Sequence, residues 1–301
     1  MPLSSPDLWI REREKKTDRR REMFFSPGGL AVSRYEISAG QALAGKRLLF
    51  FSDLHIRSAT TRSCLPGGGG GMGEKGGGRT FCLRWKGTAK PLRDLLFEGM
   101  EIVRPDILLF GGDLLAESAW MDDAFRLLKA LPCPLKLAIP GNWDKRRRRW
   151  MPQSVWQDAF RNAGFHYLRN EAFPCGDILF YGMDDYKIGN PVYRGEFRTR
   201  GAENKFRCLL SHNPDSIPEA FRPEELHDID LILCGHTHGG QIRLPFFGAV
   251  KTSSRYGKKF EYGIYRLRGG KTQMILSSGI GCTFIPLRLC CPPEIVWIQF
   301  I

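Results

Sequence analysis

Leu231-Ile232-Leu233-Cys234-Gly235-His236-Thr237-His238-Gly239 opens as an unbroken apolar run and closes on two histidines one residue apart. Four apolar residues ahead of a glycine read as a short strand buried on both faces. Alternate residues of an extended segment point the same way, so His236 and His238 can converge on one site. Working outward, the same arrangement recurs four times. Ser52-Asp53-Leu54-His55 closes the run Arg47–Ser52, and Gly111-Gly112-Asp113 follows Ile107–Phe110. Gly141-Asn142-Trp143-Asp144 follows Leu135–Ile139, and Ser211-His212-Asn213-Pro214 follows Phe206–Leu210.

Taken singly these blocks are weak, because an Asp-x-His is most often a surface turn. As a set they are specific. Only six histidines exist and four of them, His55, His212, His236 and His238, fall inside the blocks. The other two, His166 and His227, read as structural or exposed. Most blocks carry a glycine, proline or asparagine, which lets the backbone turn sharply beside a ligand. Imidazole mixed with carboxylate and amide oxygen suits Mn²⁺, Fe²⁺ or Zn²⁺ rather than Ca²⁺.

The rest of the chain sets the fold class. Leu30–Ile37 and Ile178–Gly182 also read as strands. Amphipathic helices are expected at Leu92–Val103, Asp122–Leu131, Ser154–Ala163 and Ser216–Phe221. Gly263–Leu267, Gln273–Ser278 and Glu294–Ile301 add strands with no helix between them. Alternating strands and helices followed by an all-strand stretch imply an α/β fold, with two packed mixed sheets and helices outside. Residues 1–29 form a basic N-terminal extension, and 30–301 form the main domain. Within the extension, Trp9, Ile10, Met23 and Phe24 allow either a surface-seeking amphipathic helix or a frayed tail. The stretch 60–90 is too long for an ordinary βα connection. Its glycine runs flank Phe81, Cys82, Leu83 and Trp85, so it reads as a disordered insertion or a lid.

Composition narrows the setting. The net charge is +13, and Lys and Arg concentrate at Arg11–Arg21 and Lys145–Arg149. Such a field favours a polyanionic partner: a phosphorylated substrate, an anionic membrane surface or nucleic acid. No aromatic-plus-basic signature marks a nucleic-acid reader, so nucleic acid is the least expected of the three. No apolar run reaches transmembrane length, and no secretory signal is evident. Nine cysteines without a CxxC pair fit a reduced, cytoplasmic protein.

The order D-x-H, G-G-D, G-N-x-D, H, G-H-x-H resembles the calcineurin-like metallophosphoesterases, from about Arg47 to the C-terminus. The string Gly235–Pro245, with the ending Cys291-Pro292-Pro293-Glu294-Ile295, resembles their membrane-associated bacterial branch. The resemblance implies a four-layer αββα sandwich holding two divalent metal ions: Mn²⁺ first, with Fe²⁺, Zn²⁺ or Mg²⁺ also accepted. It assigns Asp53, His55 and His238 to one ion and Asn142, His212 and His236 to the other, with Asp113 bridging. Asp113 and Asn142 are then the catalytic residues, and no protein nucleophile is required. Asp184 and Asp185 resemble a recurrent acidic pair, for which a structural hydrogen-bonding role is at least equally expected.

One position departs from the pattern. Most relatives carry histidine after Gly-Asn, and here the residue is Trp143, which cannot exchange protons at physiological pH. Either the chain is a metal-binding scaffold, or its leaving group needs no proton. Every ligand type is present, which favours the second reading and points to an anhydride or another activated phosphate. Lys145, Arg146 and Arg149 either form a solvated basic face or grip further phosphates or anionic lipid, with Trp150, Met151 and Trp156 as an apolar rim or, for the tryptophans, as core packing. This combination is similar to the UDP-2,3-diacylglucosamine pyrophosphatases of lipid A synthesis. It implies release of UMP and lipid X by a peripheral protein on the cytoplasmic side of the inner membrane. A soluble phosphodiesterase or nuclease is the alternative.

Overall fold

The computed structural model describes residues 5–12, 21–26, 29–56, 91–144, 152–283 and 287–301. Two seven-stranded sheets lie face to face. The first runs β2 (Arg21–Phe25), β3 (Ala31–Ile37), β16 (Glu294–Phe300), β4 (Arg47–Phe51), β5 (Ile107–Phe110), β6 (Leu135–Ala138), β7 (His166–Tyr167). The second runs β1 (Trp9–Arg11), β14 (Gly263–Leu267), β15 (Gln273–Leu276), β11 (Leu231–Cys234), β10 (Phe206–Ser211), β9 (Ile178–Gly182), β8 (Glu171–Cys175). Both are mixed: β4, β5, β6 and β7 run parallel to one another, as do β9, β10, β11 and β15, while β16–β4, β2–β3, β8–β9, β14–β15 and β1–β14 pair antiparallel. This is the expected α/β sandwich.

Period-two alternation divides each central strand between two cores. Leu48 and Phe50 of β4 face the second sheet, meeting Phe180, Leu210 and Leu233. Leu49 and Phe51 face the other way, under the helices. On the second sheet, Leu231 and Leu233 point inward while Ile232 points out to a third core with Trp9 and Tyr265. Burying each such side chain contributes about 1.5–3 kcal/mol, which is why these strands are apolar throughout.

Helix α1 (Leu92–Val103) covers the first sheet with Leu96, Gly99, Met100 and Val103, a spacing of three and four that places them on one face. Gly99 allows close approach, since a Cβ there would lie 2.6 Å from Ile295 Cδ1. The helix ends at Arg104, left-handed at φ 47°, whose N–H donates to the Met100 carbonyl at 2.8 Å. Helices α2 (Met121–Ala130) and α3 (Gln153–Asn162) share this layer, with α4 (Ser216–Ala220) and α5 (Pro223–Leu226) on the second sheet. Trp156 belongs to the α3 core against Phe125 and Phe160, so it is not part of an exposed apolar rim. Trp150 and Met151 lie outside the described residues.

The N-terminal segment differs from expectation. Its described residues form no amphipathic helix: Trp9–Arg11 pairs with β14 and Arg21–Phe25 pairs with β3. Trp9 is 1% exposed. Both sheets thus take an edge strand from the stretch read as an extension. Its basic residues concealed the signal, because edge strands keep charged side chains on the solvent side. The 60–90 insertion, expected as a lid or disordered stretch, lies outside the described residues.

The buried Glu294 carboxylate ties the sheets together. It accepts hydrogen bonds from Ser33 Oγ (2.5 Å), Tyr262 Oη (3.0 Å), Ser277 Oγ (3.1 Å) and the Ser278 N–H (2.8 Å). Ser33 and Glu294 belong to the first sheet, and the rest to the second or its loop.

Candidate metal centre

Parallel strands put their C-terminal ends on a common edge, where ligands of open α/β sheets gather. All seven expected metal ligands lie in loops that leave such ends. Asp53 and His55 follow β4, Asp113 follows β5 and Asn142 follows β6. From the facing sheet, His212 follows β10, and His236 and His238 follow β11. Asp53, His55, Asp113, His212, His236, His238 and Asn142 are all buried.

The side chains form two adjoining groups, each drawn from both sheets. In the first, His55 Nε2 and His238 Nε2 face one another at 3.1 Å, and Asp53 Oδ1 lies 3.3 Å from His238 Nε2. In the second, His236 Nδ1 lies 3.2 Å from His212 Nε2, and Asp113 Oδ2 lies 3.3 Å from the same nitrogen. Asp113 Oδ2 is also 3.5 Å from His55 Nε2, so this one oxygen reaches both groups.

These donors fit divalent ions. Facing ring nitrogens need either a shared proton or a cation between them. Asn142 Oδ1, His55 Nδ1 and His236 Nε2 are buried with no hydrogen-bond partner among the described residues, an arrangement that is costly unless something else satisfies them. Asn142 Oδ1 would join His212 and His236 without adding charge. His212 is oriented for the task. Its Nδ1–H donates to the Gly111 carbonyl at 2.7 Å, so Nε2 is the atom that would bind a metal.

Electrostatics couple the set. Burial would raise the Asp53 carboxyl, but the His238, His55 and His212 imidazoles outweigh it and hold the group below the usual carboxylate range. Asp113 is lowered likewise, against its burial, by His212 and His55. Burial disfavours charge on His212, yet Asp113 and Asp53 overcome it and raise that imidazole to about 10. His238 is pushed down to about 3, chiefly by burial. His236 is lowered as well, by burial and by the neighbouring His212.

The backbone is held in an unusual state. Asp53 (φ 57°), His55 (45°), Asp113 (60°), His236 (69°) and His238 (52°) all occupy the left-handed region. For residues other than glycine this costs about 1–3 kcal/mol each. The loops hold it through mutual contacts. Asp53 N–H donates to Gly112 O at 2.9 Å and His55 N–H to Asp113 O at 3.1 Å. Gly281 N–H reaches across to Asp53 O at 2.7 Å. Glycines admit the close approaches: a Cβ on Gly235 would lie 2.5 Å from Asp53 Oδ2, and one on Gly141 would lie 2.3 Å from Asp113 Oδ1.

Trp143 is buried beside the centre. Its backbone N–H donates to Asp113 Oδ1 at 2.7 Å, and its indole meets the His55 ring edge-on, centroids 5.1 Å apart. Asp144 braces the loops by accepting the N–H groups of Asp113 (3.0 Å), Leu114 (2.9 Å) and Gly141 (3.0 Å). Burial and the Asp113 charge push its carboxyl up to about 7.

The remaining expected residues sort as follows. Lys145, Arg146 and Arg149 lie outside the described residues. Asp184 accepts from Arg169 Nε at 2.8 Å and from the Asn190 N–H at 3.0 Å, and Asp185 accepts from the Ile188 N–H at 2.7 Å. The pair organises its loop. His166 and His227 are exposed. Two contributors were not read from the sequence. The bracing role of Asp144 follows only from the fold. Arg288, whose Nη2 donates to Ser278 O at 2.8 Å and lies 3.4 Å from His238 Nδ1, carries no motif at all.

Comparison with known proteins agrees with this geometry. The family described as "Calcineurin-like phosphoesterase" matches residues 46–240. The chain is 34% identical over 201 residues to YkuE, an uncharacterized metallophosphoesterase of Bacillus subtilis, covering 64% of this chain and 66% of that protein. It is 32% identical to an uncharacterized metallophosphoesterase of Aquifex aeolicus, covering 64% of this chain and 72% of that one. Phosphodiesterase YaeI of Escherichia coli is 30% identical over 219 residues, covering 70% of this chain and 75% of YaeI. The matched stretch thus spans about two thirds to three quarters of these relatives. With its two adjoining Asp/His groups at the strand ends, the chain belongs to the calcineurin-like phosphoesterase family of metal-dependent phosphoester hydrolases.

Proposed function

We propose that this chain hydrolyses a disubstituted phosphate whose leaving group departs without protonation, with the pyrophosphate of UDP-2,3-diacylglucosamine as the specific substrate. UMP and lipid X would be the products, released at the cytoplasmic face of the inner membrane. The observation that carries the reading is Trp143. Its buried indole lies against His55 where the family pattern has a histidine, so the site offers no acid there. An alkoxide leaves poorly without a proton. A phosphate monoester leaves readily, because its second pKa is about 6. Two cations held at the centre, Mn²⁺ first, would clamp phosphoryl oxygens and bring the pKa of a water near neutrality.

The chain's own residues supply the rest. Asp113 sets the spacing of the two groups, and Asn142 offers a neutral oxygen. The Trp143 indole packs against His55, and Asp144 fixes the loop that carries both Asn142 and Trp143. Lys145, Arg146 and Arg149 follow this loop in sequence and would receive the remaining phosphate. The proposed membrane contact is by surface attachment; among the described residues no helix is long and apolar enough to cross a membrane. A second reading, hydrolysis of a phosphodiester, is favoured by the relative named phosphodiesterase.

The test is UMP release from detergent-dispersed UDP-2,3-diacylglucosamine with Mn²⁺, using Asp113→Ala as control. Release that vanishes in the variant supports the pyrophosphatase. Turnover of an alkyl phosphomonoester equal to or faster than that of the pyrophosphate would overturn it. Cleavage of bis(p-nitrophenyl) phosphate without UMP release would favour the phosphodiester reading.

A further inference from the structure

Two short strands, β12 (Arg243–Leu244) and β13 (Gly248–Ala249), pair antiparallel as a two-stranded sheet apart from the two large ones, with Pro245-Phe246-Phe247 at the tip. Phe246 is fully exposed and sits at φ 64°, while Phe247 is 57% exposed. Leu244 and Val250 are exposed beside them. So is Leu289, which the Ile242–Leu289 bridge brings to the hairpin base. Five of the eleven exposed large hydrophobic residues described thus share one small hairpin and its base. A soluble surface scatters such residues, and their concentration marks a contact.

Charge indicates what the contact is. From Gly239 to Phe260 the chain has no acidic residue and five basic ones; Arg243, Arg255 and Lys259 pair with Glu261, Glu219 and Asp7, so Lys251 and Lys258 carry the charge argument. Lys258 Nζ lies over the Phe247 ring and donates to the Phe247 carbonyl at 3.0 Å, which places an ammonium group at the apolar tip. Lys251 is exposed just past β13. Aromatic rings flanked by lysines match the interface of an anionic bilayer, where rings enter the acyl boundary and ammonium groups meet phosphates.

The position is also suited to that partner. The hairpin starts five residues after His238, and the Arg243 guanidinium reaches back to the Gly239 carbonyl at 2.8 Å. The base of the hairpin therefore lies beside the loop that carries His236 and His238.

We propose that the β12–β13 hairpin is the membrane-docking element of this protein, with Phe246 and Phe247 entering an anionic leaflet and Lys251 and Lys258 meeting its headgroups. The inference rests on the membrane reading above but not on the identity of the substrate.

The experiment is co-sedimentation with phosphatidylglycerol/phosphatidylcholine vesicles and with pure phosphatidylcholine vesicles. Wild type is compared with Phe246→Ser/Phe247→Ser and with Lys251→Glu/Lys258→Glu. Bis(p-nitrophenyl) phosphate turnover and UMP release in detergent are followed in parallel as checks on fold and substrate. Wild type is expected to bind anionic vesicles at least tenfold more tightly than neutral ones, and both variants to lose at least tenfold while keeping soluble turnover. Variants that bind as wild type does would overturn the proposal, as would wild type ignoring anionic vesicles. A wild-type dimer that the phenylalanine variant splits, with no vesicle binding, would assign the patch to a second copy and also overturn it. Vesicle binding without UMP release would sink the substrate reading and leave the hairpin standing.

Discussion

Gly141→Ala is the smallest change that tests the centre. The added methyl would lie 2.3 Å from both the amide nitrogen and Oδ1 of Asp113, where ordinary contact begins near 3.4 Å. One side must retreat by about 1 Å, and neither has room to do so cheaply. The Asp113 N–H is tied to Asp144, and Asp113 Oδ1 accepts from Trp143. Asp113 Oδ2 is the oxygen that reaches both histidine groups, so any shift of the carboxylate changes their spacing. A misplacement of about 1 Å at a reacting centre costs roughly a hundredfold in rate. Overpacking of this kind also destabilises by about 1–3 kcal/mol. The assay is Mn²⁺-dependent turnover of bis(p-nitrophenyl) phosphate, with bound metal by mass spectrometry and thermal unfolding by circular dichroism. Gly40→Ala is the control, since a Cβ there meets nothing within 4 Å and should change neither quantity. Gly141→Ala with wild-type turnover and metal content would refute the bridging role of Asp113.

Three further outcomes are expected. Trp143→His should raise turnover of an alkyl phosphomonoester relative to a p-nitrophenyl ester by about tenfold or more, since it restores a general acid; an unchanged ratio would remove Trp143 from the leaving-group argument. His212, raised from 6.5 to about 10 in the fold, stabilises the metal-free protein fully below pH 6.5 and loses that contribution as pH rises through 10. Loading must displace its proton, so Mn²⁺ affinity should climb about tenfold per pH unit between pH 6 and 8; calorimetry in two buffers showing no proton release would contradict this. Burial raises the Cys208 and Cys234 thiols, so neither should react with a disulfide reagent until the protein is unfolded, whereas the exposed Cys290 should react at once.

The sandwich was legible because its central strands are buried on two sides. Ile107–Phe110, Ile178–Gly182 and Leu231–Cys234 are apolar at every position, and few other structures tolerate that pattern. Helix α1 announced itself through the spacing of Leu96, Met100 and Val103. What failed to show were edge elements. Glu171–Cys175 contains a proline and three half-buried residues, and Arg21–Phe25 reads as a charged tail until β3 is available to pair with it. The β12–β13 hairpin is two residues a side, below any periodicity. Within the centre, the residue types at His55, His236 and His238 were visible as motif letters. Their left-handed backbone was not, because it is held by contacts with distant loops: the His55 N–H donates to the Asp113 carbonyl and the His236 N–H to Asp53 Oδ2. Asp144 looked like the fourth letter of a motif, and only the fold reveals three amides converging on it.

Each Asp/His group takes members from both sheets, and His55 meets His238 across 183 positions of chain. Neither ion could be captured during early synthesis, because the last donors follow β11 and are delivered only when the second sheet docks. Metal uptake then acts as an inspection of the finished chain. Truncated or misdocked copies would remain unloaded and inert, and the ions would lock the sandwich shut once its halves had met.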